Sequence, residues 1–154
     1  MITKKSIFSW LQKHPVATVA TLSKIDRPEL AVVYTHVDED FNCYFITKES
    51  TRKYANLQRD KAITVAWFND LDLTMCEMTG DAFVVEDIQE ATKVIVRLGE
   101  LMVNQQADYW TPPVGQLAGS QYAVFKIKYR RVSFFDYSNA TTINPEPEKL
   151  EFIS

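Results

Sequence analysis

The spacing of apolar residues changes period several times along the chain, and each change marks an element. After Thr3, the residues Ile7, Phe8, Trp10 and Leu11 recur at the three- and four-residue spacing of a helix. His14-Pro15 ends that segment, because a residue before proline is pushed out of the α region. The runs VATVATL and ELAVVYTHVD are β-rich, and SKIDRP between them carries the turn residues Asp26 and Pro28, so the pair predicts a hairpin. A second turn at DED, 38–40, leads into FNCYFIT, which predicts three strands meandering in antiparallel order.

From about Ser50 to Arg59 the pattern turns helical, with Tyr54 and Leu57 on a shared face. AITVAWF, a turn around NDLD and the long β-type run LTMCEMTGDAFVV follow. Gly80 interrupts that run, and a lone glycine within a strand marks a bulge or a close backbone approach. DIQEATKVIVRLGELM predicts an amphipathic helix capped by Asp87, with Ala91, Val94, Ile95, Leu98 and Leu101 along one face. NQQADYWTPPVGQLAGSQ reads as a long loop carrying Tyr109, Trp110 and Pro112-Pro113, and loops of that length are often functional. YAVFKIKYRRVSFFDYS supplies one or two further strands, while NATTINPEPEKLEFIS reads as a loosely held tail.

Six or seven strands in mainly hairpin order, with three inserted helices, predict a mainly β fold closed or half-open as an antiparallel barrel. The links between the first strands are too short for parallel crossovers. The expected organisation is one domain over 1–138 and a tail over 139–154.

Composition narrows the function classes. A length of 154 residues with 46% hydrophobic and 12% aromatic content fits one globular domain. The net charge of −3 argues against a general polyanion-binding surface, so nucleic acid is not an expected partner, although a local basic pocket is compatible. Cys43 and Cys76 lie inside apolar runs rather than in a spaced pair, which predicts buried thiols and no zinc or redox motif. The first fifteen residues have neither a long apolar stretch nor a small-residue cleavage site, so a cytoplasmic soluble protein with no membrane partner is expected.

The segment TKESTRK, 47–53, poses an electrostatic question. Ser50 or Thr51 is a good N-cap, so free N–H groups and the positive end of the helix dipole belong there. Acidic residues normally follow such a cap, yet Arg52 and Lys53 do, with Lys48 just before. Two readings are open. Either the cations point into water at small electrostatic cost, or the helix end, the hydroxyls of Thr47, Ser50 and Thr51, and the cationic side chains converge on one phosphate.

The residues YFIT (44–47), STRK (50–53), NL (56–57) and AITVAW (62–67), with the opening HPVATVATLSKIDRPELAVV, resemble the flavin mononucleotide (FMN)-binding split-barrel family, the relatives of pyridoxamine 5′-phosphate oxidase. The order of elements agrees from about residue 6 to residue 137. The resemblance implies a six-stranded antiparallel split β-barrel of Greek-key type and a homodimer with flavin at the subunit interface. It implies that Arg52 and Lys53 hold the flavin phosphate, with Thr47 and Ser50 or Thr51 as partners. Val32, Val33 and Tyr34 would pass along the isoalloxazine ring and offer it backbone groups. Met75 stands where the family often has a flavin contact, and Trp110 would reach the cofactor of the partner subunit.

There are departures. Where the oxidase carries basic residues at both ends of an aliphatic run, AVVYTH has Ala31 and His36. Arg130 and Arg131 are adjacent, hence on opposite faces of a strand, and do not match the oxidase's C-terminal substrate-binding pair. Both departures count against pyridoxamine phosphate oxidase activity itself.

The leading expectation is therefore an FMN-dependent oxidoreductase passing reducing equivalents between a nicotinamide donor and an unidentified acceptor, with His36 as a candidate proton donor. Its alternatives on the same barrel are a deazaflavin cofactor, or a non-catalytic protein that stores or senses flavin or haem. A haem would draw its axial ligand from His14, His36, Cys43, Cys76 or a Tyr or Met.

Overall fold

In the computed structural model, which describes residues 1–103 and 121–154, three local caps start the three helices. Thr3 accepts from the backbone of Ser6 and Ser6 answers on the backbone of Thr3, closing a capping box at the head of α1, Lys4–Lys13. Thr51 caps α2, Arg52–Arg59, and the Asp87 carboxylate accepts from the backbone N–H groups of Gln89 and Glu90 at the head of α3, Ile88–Val103.

The strands are β1 Val16–Leu22, β2 Pro28–Tyr34, β3 His36–Val37, β4 Cys43–Lys48, β5 Ala62–Asn69, β6 Thr74–Val84, β7 Tyr122–Asp136 and β8 Glu148–Ile153. Every pairing is antiparallel, in the order β2-β1-β5-β6-β7-β4-β3, with β8 added to β7. The two ends of this path, β2 and β3, are joined by the single residue Thr35, so the sheet curls back on itself into a split barrel. Trp67 lies inside, 1% exposed, and donates its indole N–H to Thr35 Oγ1 at 2.9 Å; that hydroxyl donates in turn to the carbonyl of Pro15. Around Trp67 the core gathers Val19, Phe45, Val65, Met78, Phe125 and Ile127, all inward residues of alternating strands. The cysteines belong to this core, fully covered, and burial pushes both thiols up, Cys76 to about 12.

Three expectations are corrected. The second turn does form, with β3 and β4 pairing across it, but the run ELAVVYTHVD breaks at Thr35, whose backbone N–H bonds Pro15, so β4 pairs with β3 and β7 and not with β2. The last residues are not all a loose tail. Leu150 and Phe152 turn inward from β8 and Phe152 packs on Phe41 and Tyr129, while Glu148 accepts from the backbone of Ile2. The strand count is accordingly eight among the described residues rather than six or seven. Third, Ile95 does not share the buried face of α3: Val94 and Leu98 are covered and Ile95 is 36% exposed.

No helix among the described residues is long and apolar enough to cross a membrane.

Candidate functional site

The start of α2 stands beside β2, the terminal strand of the sheet path, which is laddered only to β1. Three contacts fix the helix there. Leu57 is buried in the core, Tyr54 meets the Phe125 ring edge-on, and Arg59 at the C-terminal end donates to the carbonyls of Leu22 and Ser23 in the β1–β2 turn. The N-terminus is thereby aimed into a cavity of about 290 Å³ lined by Thr21, Glu29, Leu30, Ala31, Thr51, Arg52 and Lys53.

A chain of hydroxyls holds the cap. Thr51 Oγ1 donates to the carbonyl of Lys48 at 2.8 Å and accepts from the backbone N–H of Tyr54 at 3.4 Å. Thr47, 3% exposed, lies 2.9 Å from Thr51 Oγ1. Because Thr51 already uses its proton on Lys48, Thr47 donates to it. The first turn of α2 contains no acidic residue. Lys53 is partly buried, desolvation lowers its pKa, and among the described residues it has no ion-pair partner. A partly desolvated ammonium with no ion-pair partner, beside the positive end of a helix dipole, favours an anion in the cavity.

Arg52 differs. Its side chain is 83% exposed and its guanidinium lies 3.4 Å from Glu29 Oε1. The other oxygen of Glu29 accepts from Asn56 Nδ2 at 2.9 Å, and Asn56, itself buried, also donates to the buried Thr21 hydroxyl at 3.0 Å. The sequence reading did not single out Glu29, Asn56 or Thr21 as site residues. Asn56 is one turn beyond Arg52 on the same helix, a spacing that points to a shared face, but nothing local to Glu29 announces that β2 carries it against α2.

The remaining expected residues are dispersed. Thr51, Arg52 and Lys53 line the cavity, Thr47 supports it, and Ser50 is an exposed turn residue. On β2, Val32 is 54% exposed on the outer face, one residue beyond cavity-lining Ala31, whereas Val33 points into the core. Tyr34 is buried in a second cluster with Tyr44, Val94, Leu98 and Val124 beneath α3. Met75 on β6 pairs with Phe68 and Phe135, away from the cavity. Trp110 lies outside the described residues.

Neither histidine stands at the cavity. His14 stacks on Trp10, and both ring nitrogens have partners, the carbonyl of Trp10 and Asn69. His36 stacks on Tyr44, its Nδ1 buried without a partner, and burial lowers its pKa. Among the described residues no cluster of His, Cys, Asp or Glu is arranged to hold a metal ion.

The family described as pyridoxamine 5′-phosphate oxidase matches residues 3–136. No curated protein matches the chain. Among solved structures, a conserved hypothetical protein from Mycobacterium tuberculosis superposes with a TM-score of 0.72 at 22% identity, over 88% of this chain and 86% of that one. A pyridoxamine 5′-phosphate oxidase-related, FMN-binding protein from Nostoc punctiforme gives 0.62 at 11% identity, over 97% and 96%. A haem-binding protein from Mycobacterium smegmatis gives 0.67 at 13% identity, over 99% of this chain but 59% of that one.

Proposed function

The chain belongs to the pyridoxamine 5′-phosphate oxidase family, and from that premise we propose that it binds FMN as a homodimer and serves as a flavin-dependent oxidoreductase. The observation that carries the reading is the cavity at the start of α2, where a helix N-terminus with no acidic residue in its first turn, Lys53 and Arg52 surround a space large enough for a phosphate. Arg52 would supply bidentate hydrogen bonds and Lys53 a point charge, with the Thr47–Thr51 hydroxyl chain keeping the cap rigid. β2 runs from this cavity with one backbone edge outside the sheet ladders, which suits the polar edge of a flat heteroaromatic ring.

When bound, the flavin supplies two-electron redox chemistry, with a nicotinamide as the natural donor class. The protein's own part is to hold the phosphate, orient the ring along β2 and cover one of its faces. Genuine pyridoxamine phosphate oxidation is not part of this proposal, because Ala31 lines the cavity where the oxidase carries a basic residue.

The homodimer has its own support. Leu30, Val32 and Phe68 are 70%, 54% and 66% exposed, and the β1–β2 and β1–β5 registers put all three on the outer face of the sheet. A second copy covering that face would bring its residues to the open side of the ring.

The FMN-binding protein from Nostoc, with the same fold, supports the flavin reading. The haem-binding protein from Mycobacterium smegmatis keeps the alternative in view, but His14 is engaged on both nitrogens and His36 stacks on Tyr44 away from the cavity, so neither offers an axial ligand beside it.

The test is binding of FMN against riboflavin. Arg52→Ala with Lys53→Ala should weaken FMN by about two orders of magnitude or more, since each charge-assisted hydrogen bond contributes roughly 1.5–3 kcal/mol. Riboflavin should change little. Equal losses for both ligands would refute the phosphate assignment, and a Soret band in place of flavin bands in the purified protein would favour haem.

A further inference from the structure

The phosphate cradle contains a carboxylate, and its two oxygens are held in unequal ways. Glu29 Oε1 meets Arg52 at 3.4 Å, through an arginine side chain that is 83% exposed. An ion pair of that length and exposure contributes little and breaks readily. Glu29 Oε2 instead accepts from Asn56 at 2.9 Å, and Asn56 is fixed by burial and by its second bond to Thr21. The Glu29 side chain itself is 29% exposed. Arg52 can swing away while the carboxylate stays where it is.

Resting on the FMN reading above, we propose that Glu29 is the built-in counter-anion of the phosphate cradle: it occupies Arg52 in the ligand-free protein and sets how tightly a phosphate can be held.

Three features of the cavity support this. Glu29, Arg52 and Lys53 line the same space, so a phosphate reaching Lys53 comes within range of the carboxylate. The position two residues further along β2, Ala31, offers no cation to offset it. Arg52 must therefore be shared between Glu29 and the ligand, and the cradle retains a standing negative charge that repels a phosphate dianion. The carboxylate is anchored by a buried amide and is not free to turn into solvent, so the repulsion is not relieved by a simple side-chain rotation.

The ligand class selected is one whose affinity does not rest on phosphate alone: a phosphate monoester with a large flat ring to lie along β2. Inorganic phosphate should bind poorly for the same reason.

The experiment is titration of the full-length protein and of Glu29→Gln with FMN and with riboflavin at fixed pH and ionic strength. Glutamine keeps an oxygen for Asn56 and removes the charge. The substitution should tighten FMN about tenfold, the scale of one exposed charge pair acting at short range, and leave riboflavin within about twofold. Unchanged or weakened FMN binding by Glu29→Gln would overturn the proposal, and equal weakening of both ligands would assign the carboxylate to the ligand's hydroxyl groups instead. Glu29→Asp, which keeps the charge but draws it back from Arg52, provides a second variant should the first fold poorly; it should tighten FMN by less than Glu29→Gln, and no difference from the parent in either ligand would again count against the role. A parent protein that binds riboflavin as tightly as FMN would remove the phosphate reading itself, an outcome distinct from failure of the Glu29 assignment.

Discussion

Gly80 stands where β6 and β7 come too close for a side chain. A Cβ built there would lie 2.3 Å from the carbonyl oxygen of Lys128 and 2.9 Å from the Cα of Tyr129, both backbone atoms that cannot step aside. The register slips at the same place: Thr79 faces Arg131 but Gly80 faces Tyr129, leaving Arg130 as the extra residue of a bulge. Freed from the ladder, Arg130 reaches Asp81 at 2.7 Å. Gly80→Ala should destabilise the fold by about 1–3 kcal/mol, as overpacking at an unyielding site does, read as a lower urea midpoint at unchanged slope. A neutral result would mean that the bulge can open without cost.

Gly80 was legible in the sequence because the signal and its cause lie at one position. The same holds for Arg52 and Lys53, whose oddity is visible within one helical turn. Glu29 was not legible: its significance comes from a partner 23 residues away on another element, and a single glutamate in a β run is otherwise unremarkable as a solvated residue.

At the scale of elements, helix starts were read correctly wherever a side chain caps its own helix, as at Thr3, Thr51 and Asp87. Strands and the hairpins joined by short turns were legible, as at β1–β2 and β3–β4, and the pairings between strands far apart in the chain were not, since those are decided by distant partners. In EKLEFI a period of two was present but outweighed by the surrounding proline and glutamate; Leu150 and Phe152 on the core side explain the strand that forms.

How α3 is held has a pH consequence. Its first turn is fastened to the barrel by Glu90, which accepts from Lys126 at 3.0 Å and from the Tyr44 hydroxyl at 3.0 Å. The hydrogen bond from Lys126, then that from Tyr44, holds the Glu90 carboxyl below the usual range, while burial pushes Tyr44 up to about 12, so its hydroxyl keeps its proton throughout the ordinary pH range. A carboxylate whose folded pKa is depressed stabilises the fold above its unfolded value and loses that contribution as pH falls through the folded one. Glu90→Gln should therefore cost about 0.5–1 kcal/mol at neutral pH, the discounted value of a partly exposed pair. Thermal unfolding of the two proteins should therefore converge as pH falls below the ordinary carboxylate value and through the depressed one. A gap that stays constant with pH would assign the loss to packing rather than charge.

For the whole molecule, the two sides of the curled sheet differ. The outer face across β6, β7 and β8 is laced with pairs, Glu77 with Arg131 at 3.4 Å and Glu151 with Lys149 at 3.0 Å and with Ser133. The outer face across β1, β2 and β5 presents Leu30, Val32 and Phe68 to solvent. Apolar side chains gathered on one face mark an interaction site. On the proposed homodimer with flavin at its interface, Phe68→Lys together with Leu30→Lys should halve the mass seen in sedimentation and abolish flavin retention while leaving the far-ultraviolet circular dichroism intact. A parent protein that sediments as a monomer yet keeps its flavin would remove the interfacial site.

The joining of the two ends of the sheet path through Thr35 also sets a timetable for biosynthesis. β1 finds its second neighbour only when β5 has emerged, and Cys43 on β4 must wait for Ile127 on β7. Loop-closure entropy is met before such distant pairings return anything, so folding is slow relative to a helical domain of this length. While the chain is still being made, β4 and β6 present unpaired edges, the form in which partly folded chains aggregate. The ribosome-bound intermediate, more than the finished barrel, is therefore the state most exposed to aggregation.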